Sequence, residues 1–184
     1  MIIGLCGKKG CGKSSTAESM ERNLGFTTLS FSPPIKDALR AIGVPHDALN
    51  DVKLKEQPLR YLYGNKTPRE LMQIFGTEFA RNMISQSIWI DCLIERMRGI
   101  RTKDFVIDDI RFDNEAEALK LEGAYIVEVK RDDSYYTQND LHVSEHGINP
   151  DFVDYTLDNV SCYRTDLDNA VESLINKINV EHYV

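Results

Sequence analysis

The sequence predicts an α/β fold built around a parallel β-sheet. Short apolar runs alternate along the chain with segments of helical periodicity, and this alternation is typical of consecutive βαβ units. The first run, Ile2–Cys6, leads through a glycine-rich turn into a helix predicted from Lys13 to Leu24. A later run, Phe105–Ile107, is apolar throughout, as expected of a strand that is buried on both faces.

The remaining elements are predicted from helix caps and turn residues. Thr67, Pro68 and Glu70 predict a helix start, because threonine can cap the helix, proline fits its first turn and glutamate completes a capping box. Gly25 stands where a glycine would end the first helix. The polar, irregular stretch 43–66 is interpreted as a loop with short helical turns. The further predictions are strands at residues 26–31, 124–129 and 155–157 and helices at residues 36–42, 68–82, 87–98, 113–122 and 166–178.

Composition limits the classes of protein to which the chain can belong. Its 184 residues fit one domain, or one core with an inserted lid, and 42% apolar residues suffice for a buried core. A net charge of −7 without a basic stripe disfavours a duplex nucleic-acid partner. We expect no membrane span, because no apolar run approaches about 20 residues. We expect no signal peptide, because the N-terminus has no charged segment followed by a hydrophobic stretch and the glycine-rich turn begins almost at once. The scattered cysteines predict free thiols in a reducing cytoplasm. They are Cys6, Cys11, Cys92 and Cys162.

The segment GKKGCGKS at residues 7–14 fits the pattern G-x-x-x-x-G-K-[ST], the P-loop. Its glycines let the backbone turn tightly, so that successive N–H groups point at one anion. Lys13 is expected to reach the β- and γ-phosphates and Ser14 to bind Mg²⁺. The helix that begins near Lys13 adds its positive N-terminal end to the same place. The sequence therefore predicts a site for a nucleoside triphosphate with Mg²⁺.

An acidic pair, Asp108 and Asp109, follows the apolar strand at residues 105–107. A P-loop enzyme needs an acid at the end of a neighbouring strand to hold or orient Mg²⁺. We expect one of the two aspartates to do this and the other to cap the helix that follows. Arg111 would then lie at the carboxyl end of the strand, beside the transferring phosphate. Glu115, one turn further on, either orients Arg111 or meets the acceptor.

The helix predicted at residues 68–82 has two faces. Its apolar face, expected to pack in the core, consists of Leu71, Ile74, Phe75 and Phe79. Its polar face, with steps of four residues, consists of Arg69, Gln73, Thr77 and Arg81. Most such polar faces are solvated surface. Here the arginines suit a phosphate, the glutamine amide suits a base edge, and Gly76 leaves room beside them. Trp89 either stacks on a base or packs in the core.

Arg131 opens a polar, tyrosine-bearing stretch that extends to His142. One interpretation is an ordinary exposed connection. The other is a mobile lid that carries an arginine, closes over the triphosphate and excludes water.

Four segments resemble the motifs of one family. They are residues 7–14, TPREL at residues 67–71 with Gln73 and GTE at residues 76–78, DIRF at residues 109–112 with Asn114 and Glu115, and HVSE at residues 142–145. They are similar to those of the bacteriophage-type deoxynucleoside monophosphate kinases, a branch of the P-loop nucleotide kinases. The helix start and the Asp-Ile-Arg-Phe segment are much more specific than the P-loop.

The resemblance implies a fold, an activity and its substrates. The fold is the three-layer P-loop NTPase architecture, with a five-stranded parallel sheet in the order 2-3-1-4-5. Its core would comprise about residues 1–42, 104–130 and 153–184, with an acceptor-binding insertion at about 43–103 and a lid at about 131–145. The activity is transfer of the ATP γ-phosphoryl group, with Mg²⁺, to a dNMP for DNA synthesis. The resemblance also allows a homodimer and, for a phage protein, implies the host cytoplasm.

Residue by residue, the resemblance implies the following roles. ATP would be held by Gly7, Lys9, Gly10, Cys11, Gly12, Lys13, Ser14, Ser15 and Asn159, the last near the adenine. Mg²⁺ would be held by Ser14 and Asp109, whereas Asp108 occupies a position that the family leaves variable. The acceptor would be held by Lys36, Arg69, Gln73, Arg81, Trp89 and Glu115. Charge during transfer would be stabilised by Lys13, Arg111, Arg131 and Asp109.

Three other functions fit parts of the sequence. A P-loop kinase for another small acceptor, such as dephospho-coenzyme A or a sugar, shares the P-loop, and Asp37 could activate a sugar hydroxyl. A GTPase is disfavoured, because Asn65 and Lys66 are followed by threonine and then Pro68 instead of completing an Asn-Lys-x-Asp motif. A non-catalytic nucleotide-binding module would have no use for the arginines that stabilise transferred charge.

Overall fold

The computed structural model describes residues 1–61, 63–102, 104–131, 146–159 and 163–182. Most of the predicted lid, the HVSE segment and Cys162 lie outside these residues. Within the part of the chain that is described, no helix combines the length and apolar character needed to cross a membrane.

A five-stranded parallel sheet forms the centre of the fold, in the order β2-β3-β1-β4-β5. The strands are β1 Ile2–Cys6, β2 Thr27–Leu29, β3 Phe105–Ile107, β4 Ala124–Lys130 and β5 Tyr155–Asp158. The central β1 pairs with β3 and β4, so that Ile3 lies between Val106 and Tyr125. The predicted fold class and strand order are both confirmed.

The helices follow the predicted alternation with the strands. They are α1 Lys13–Leu24, α2 Pro33–Ala41, α3 His46–Asn50, α4 Pro68–Gln73, α5 Ile88–Arg98, α6 Asp113–Leu121 and α7 Arg164–His182. A π-helix, Ile74–Ile84, continues α4, and 3₁₀ turns occur at Leu54–Glu56, Tyr63–Asn65 and Pro150–Phe152. The predicted loop at residues 43–66 thus has the short helical turns expected of it.

The chain folds as two compact units, one of residues 1–30 with 97–184 and one of residues 31–96. The insertion predicted at residues 43–103 overlaps the second unit, which also includes α2. The first unit contains the whole sheet, and its core joins buried strand residues to α1 and α7. Its most deeply buried side chains include Ile3, Leu5, Met20, Val127 and Ile178.

Polar contacts join α1 and α7 at the rim of this core. Asp168 accepts hydrogen bonds from the Ser19 hydroxyl at 2.6 Å and from Arg22 at 2.6 and 2.8 Å. These donors, the serine first, hold the pKa of Asp168 below its usual range. At its end α1 stops at Gly25, whose φ of 73° is the left-handed conformation predicted for it.

The second unit starts its longest helical segment with the predicted capping box. The Thr67 hydroxyl oxygen accepts from the Glu70 N–H at 3.1 Å, and the Thr67 N–H donates to the Glu70 carboxylate at 2.7 Å. The backbone donor of Thr67 holds the pKa of Glu70 below its usual range. The ionised carboxylate therefore contributes stability above the ordinary glutamate pKa, and this contribution is lost as the pH falls through the lowered pKa.

Removing the cap should destabilise the protein modestly. Thr67→Ala is expected to lower the free energy of unfolding by about 1 kcal/mol at pH 7, because the Glu70 N–H loses its acceptor. Urea denaturation measures the change. The matched control is Thr165→Ala, an exposed position in the first turn of α7, where we expect less than about 0.5 kcal/mol. Equal effects of the two substitutions would contradict the capping role.

Candidate functional site

The P-loop connects β1 to α1 and has the backbone that its glycines predict. Gly7 and Gly12 have φ values of 128° and 106°, where side-chain-bearing residues are strained. A Cβ on Gly7 would lie 2.4 Å from the Val129 carbonyl oxygen, and one on Gly12 would lie 2.3 Å from Asn159 Nδ2. Both positions therefore require glycine for conformation and for space.

Lys13 folds back over this loop. Its Nζ donates to the carbonyl oxygens of Gly7 at 2.6 Å and Lys8 at 3.1 Å. The ammonium group is thus held at the loop, at the first residue of the 12-residue helix α1. The side chains of Lys9, Ser14 and Ser15 are exposed, whereas Cys11 is buried. A positive side chain and a helix N-terminus together favour a polyphosphate.

A hydrogen bond joins the P-loop serine to the acidic pair that follows β3. The Ser14 hydroxyl donates to Asp108 Oδ2 at 3.1 Å. The backbone beyond β3 is fixed by the Asp108 N–H, which donates to Leu29 in β2, and by the Ile110 N–H, which donates to Leu5 in β1. The contact favours Asp108 as the acid beside the metal, whereas the resemblance favours Asp109.

The same pair of oxygens suits Mg²⁺. This ion prefers hydroxyl, carboxylate and phosphate oxygens and is commonly held by one or two carboxylates together with the phosphates of the substrate. The hydroxyl of Ser14 and the carboxylate of Asp108 supply such donors side by side. Among the described residues, no group of three or more His, Cys, Asp or Glu side chains could hold a metal.

Glu115 fixes the backbone at Arg111. Its Oε2 accepts from the N–H groups of Arg111 at 2.8 Å and Phe112 at 3.1 Å, and the residue is only 2% exposed. Of the two roles considered for Glu115, these contacts favour orienting Arg111. Its contact with the acceptor stays a prediction.

Two substitutions of Glu115 distinguish the role of the hydrogen bonds that it accepts from the role of its negative charge. Glu115→Ala is expected to lower kcat about tenfold and to reduce stability by about 1–3 kcal/mol, because two N–H groups lose their acceptor. Glu115→Gln should retain most of the wild-type kcat and stability, since its amide oxygen can accept the same hydrogen bonds. Steady-state kinetics and thermal unfolding measure the two effects. A Gln variant as impaired as the Ala variant would show that the charge, not the hydrogen bonds, is required.

The carboxyl ends of the strands carry the predicted residues of the first unit. The P-loop follows β1, Asp108 follows β3, Arg131 follows β4 and Asn159 follows β5. This edge of a parallel α/β sheet is where ligands commonly bind. Arg131 is partly buried. Asn159 is buried, and its Nδ2 donates to the Cys11 carbonyl oxygen at 2.9 Å. The resemblance places this side-chain amide near the adenine, and in the structure the amide nitrogen binds the P-loop backbone.

Two predicted acceptor residues of the second unit have acidic or amide partners. Lys36 donates to the Asn50 side chain at 3.0 Å, and Arg69 Nε donates to Glu56 Oε1 at 2.7 Å. Sequence reasoning did not identify Asn50 and Glu56, because both lie in the stretch interpreted as a loop. The only indication in the sequence is that the side chains of Asn50 and Glu56 can accept hydrogen bonds from Lys36 and Arg69.

Trp89 occupies the interior of the second unit. It is 6% exposed, its Nε1 donates to the Gly76 carbonyl oxygen at 2.8 Å, and its ring lies 6.3 Å from that of Phe75. These contacts correspond to the core-packing alternative. Arg81 is also buried and donates to the Gln86 carbonyl oxygen at 3.0 Å. The contact of either residue with the acceptor stays a prediction.

The π-helix alters the two faces predicted for residues 68–82. A π-helix bonds i to i+5, so a stripe with steps of four does not continue through it. Gln73, the last residue of α4, is partly buried. Ile74 and Phe79, predicted to be core residues, are instead 37% and 42% exposed. Leu71 and Phe75 do pack against the small core of Leu39, Val44 and Leu49. The prediction of one continuous apolar face was therefore wrong.

Comparisons with known proteins identify the family of the chain. The family model of deoxynucleotide monophosphate kinases matches residues 62–178. A protein of Acanthamoeba polyphaga mimivirus assigned as a deoxynucleotide monophosphate kinase is 30% identical over 158 residues, which cover 79% of this chain and 80% of that protein. The deoxynucleoside-5′-monophosphate kinase of Escherichia phage T5 is 30% identical over 98 residues, 50% of this chain and 39% of the phage protein.

Solved structures show the same fold. Dephospho-CoA kinase from Campylobacter jejuni has a TM-score of 0.55 at 15% identity, with 98% of both chains covered. Shikimate kinase from Bacteroides thetaiotaomicron has a TM-score of 0.54 at 12% identity, with 97% of this chain and 98% of that chain covered. These structural similarities concern the P-loop kinase fold alone, whereas the family model and the relatives are matched by sequence. The chain belongs to the deoxynucleotide monophosphate kinase family.

Proposed function

We propose that this protein transfers the γ-phosphoryl group of ATP to a dNMP, giving dNDP and ADP for DNA synthesis. The observation that carries the proposal is the contact of the P-loop Ser14 with the strand-end carboxylate Asp108, in a chain of this family. The free thiols of Cys6 and Cys11 fit a reducing compartment, so we place the reaction in the cytoplasm.

The first unit holds ATP in this proposal. The backbone N–H groups of residues 7–14 surround the β- and γ-phosphates, and Lys13 adds a positive charge there. Ser14 and Asp108 are the residues that would hold Mg²⁺. When bound, this ion neutralises charge on the phosphates and orients them. Asp109 would remain next to the site as a second carboxylate.

The transfer needs no general base. The phosphate of a dNMP is ionised at pH 7, so one of its oxygens attacks the γ-phosphorus directly. The bond between that phosphorus and the β–γ bridging oxygen breaks, and ADP leaves with the electron pair. Charge on the transferring group is stabilised by Arg111 and Arg131, and most of the acceleration comes from positioning and from this stabilisation.

The second unit binds the acceptor in this proposal. Lys36 and Arg69 supply positive charge for the dNMP phosphate, and Glu56 orients Arg69 through its Nε. Gln73 supplies an amide for a base edge. Arg81 and Trp89 are buried, so in this proposal they support these side chains, and their own contact with the acceptor stays a prediction.

A coupled assay of ADP release tests the acceptor. The protein is offered ATP and Mg²⁺ with dAMP, dGMP, dCMP, dTMP, the ribonucleotides or dephospho-coenzyme A, each separately. We expect turnover on one or more deoxynucleotides. Turnover on dephospho-coenzyme A alone would instead support the second candidate, which shares the phosphate-bearing acceptor. The same preparation, analysed by sedimentation, shows whether the protein is a homodimer.

A further inference from the structure

Asn159 makes a contact with the P-loop to which the proposed phosphoryl transfer assigns no role. It is only 7% exposed, and its Nδ2 lies 2.9 Å from the carbonyl oxygen of Cys11 in the P-loop. Because a carbonyl oxygen can only accept, the amide nitrogen is the atom that faces it. A residue 148 positions away in the sequence thus donates to the P-loop backbone.

The sheet holds Asn159 in place for this contact. The residue follows β5, whose last pair with β4 joins Lys130 and Asp158. The Asn159 N–H donates to the Lys130 carbonyl oxygen at 2.7 Å, which extends the pairing by one residue. The backbone of Asn159 is therefore fixed by β4, and its short side chain has little freedom to move.

The contact determines how one peptide group of the P-loop is oriented. In a planar trans peptide the C=O and the following N–H point in opposite directions. When Asn159 binds the Cys11 carbonyl, the Gly12 N–H must point away from Asn159. Gly12 permits this close approach, since a Cβ there would lie 2.3 Å from the amide nitrogen. The N–H groups of a P-loop bind phosphate through this kind of orientation.

We propose that Asn159 is a positioning residue of the ATP site, which holds the Cys11–Gly12 peptide so that the Gly12 N–H faces the polyphosphate. This inference rests on the proposed function, because it assumes that the P-loop binds ATP. An adenine contact would affect the binding of ATP alone. The role proposed for Asn159 affects the binding of the phosphate chain, whichever base is attached to it.

Two ligands and two substitutions test the proposal. Affinities for ATP and for inorganic tripolyphosphate, both with Mg²⁺, are measured by titration calorimetry. Asn159→Ala removes the donor, and Asn159→Leu removes it while keeping a side chain of similar size and adding no charge. We expect each variant to bind both ligands about tenfold more weakly, the effect of losing one buried hydrogen bond. In kinetics the KM for ATP should rise while the KM for the dNMP stays unchanged. The control is Asp158→Asn, an exposed neighbour on β5, with expected affinities close to wild type.

The outcomes are distinguishable. Loss of ATP affinity with unchanged tripolyphosphate affinity would show an adenine contact and overturn the proposal. Unchanged affinity for both ligands would overturn it as well, and would leave the kinase function standing. If the wild-type protein bound neither ligand, the proposed function itself would fail. Thermal unfolding of each variant shows whether it remains folded, and the Leu form, which fills the space beside Gly12, is the one expected to do so.

Discussion

Lys13→Ala is expected to lower kcat roughly 10²–10³-fold, the usual effect of removing one donor that stabilises charge in the transition state. The Lys13 ammonium donates to the carbonyl oxygens of Gly7 and Lys8. Both contacts are at the loop, so the lysine is already where the phosphates of ATP would bind. Single-turnover kinetics with saturating ATP and dNMP measure the loss of the chemical step.

The folding cost of the same substitution should be small. Two hydrogen bonds on a partly exposed lysine contribute about 1 kcal/mol, equivalent to about 2–4 °C in Tm for a chain of this size. The matched control is Lys177→Ala, an exposed lysine on α7 whose Nζ lies 5.4 Å above the Tyr155 ring. We expect its kcat to equal that of the wild type. If the kcat of Lys13→Ala were within tenfold of the wild-type value, Lys13 would not be a catalytic residue.

Features with a local cause were predictable from the sequence. The P-loop, the capping box at Thr67 and the end of α1 at Gly25 are each determined by a few adjacent residues. The strand order was predicted from the family resemblance and is confirmed. In each case the information lies within a few adjacent residues or within the motifs that carry the resemblance.

Features with a distant cause were not predictable. The π-helix at Ile74–Ile84 receives a hydrogen bond from Trp89 to Gly76, 13 residues apart, and no local pattern distinguishes it from a continued α-helix. The interior position of Trp89 and the contact of Asn159 with the P-loop likewise depend on tertiary packing. Sequence reasoning identified these residues as important and could not determine what they touch.

The choice between Asp108 and Asp109 shows the same limit at the centre of the site. Adjacent residues of an extended strand point to opposite faces, so that one aspartate can face the P-loop while the next faces away. Which one does so depends on the register of β3 against β2, where the Asp108 N–H donates to Leu29. The family resemblance selects Asp109, and the hydrogen bond from Ser14 selects Asp108.

Substitution of each aspartate in turn decides between them. Asp108→Asn is expected to lower kcat roughly 10²–10³-fold, because the carboxylate beside Ser14 loses the charge that holds Mg²⁺ against the phosphates. The Mg²⁺ concentration for half-maximal rate should rise in the same variant. Asp109→Asn, which has the same size and charge change one residue away, is the matched control and should have the smaller effect on both quantities. The reverse order, with Asp109→Asn the more damaging, would assign the metal to Asp109 and overturn the assignment to Asp108.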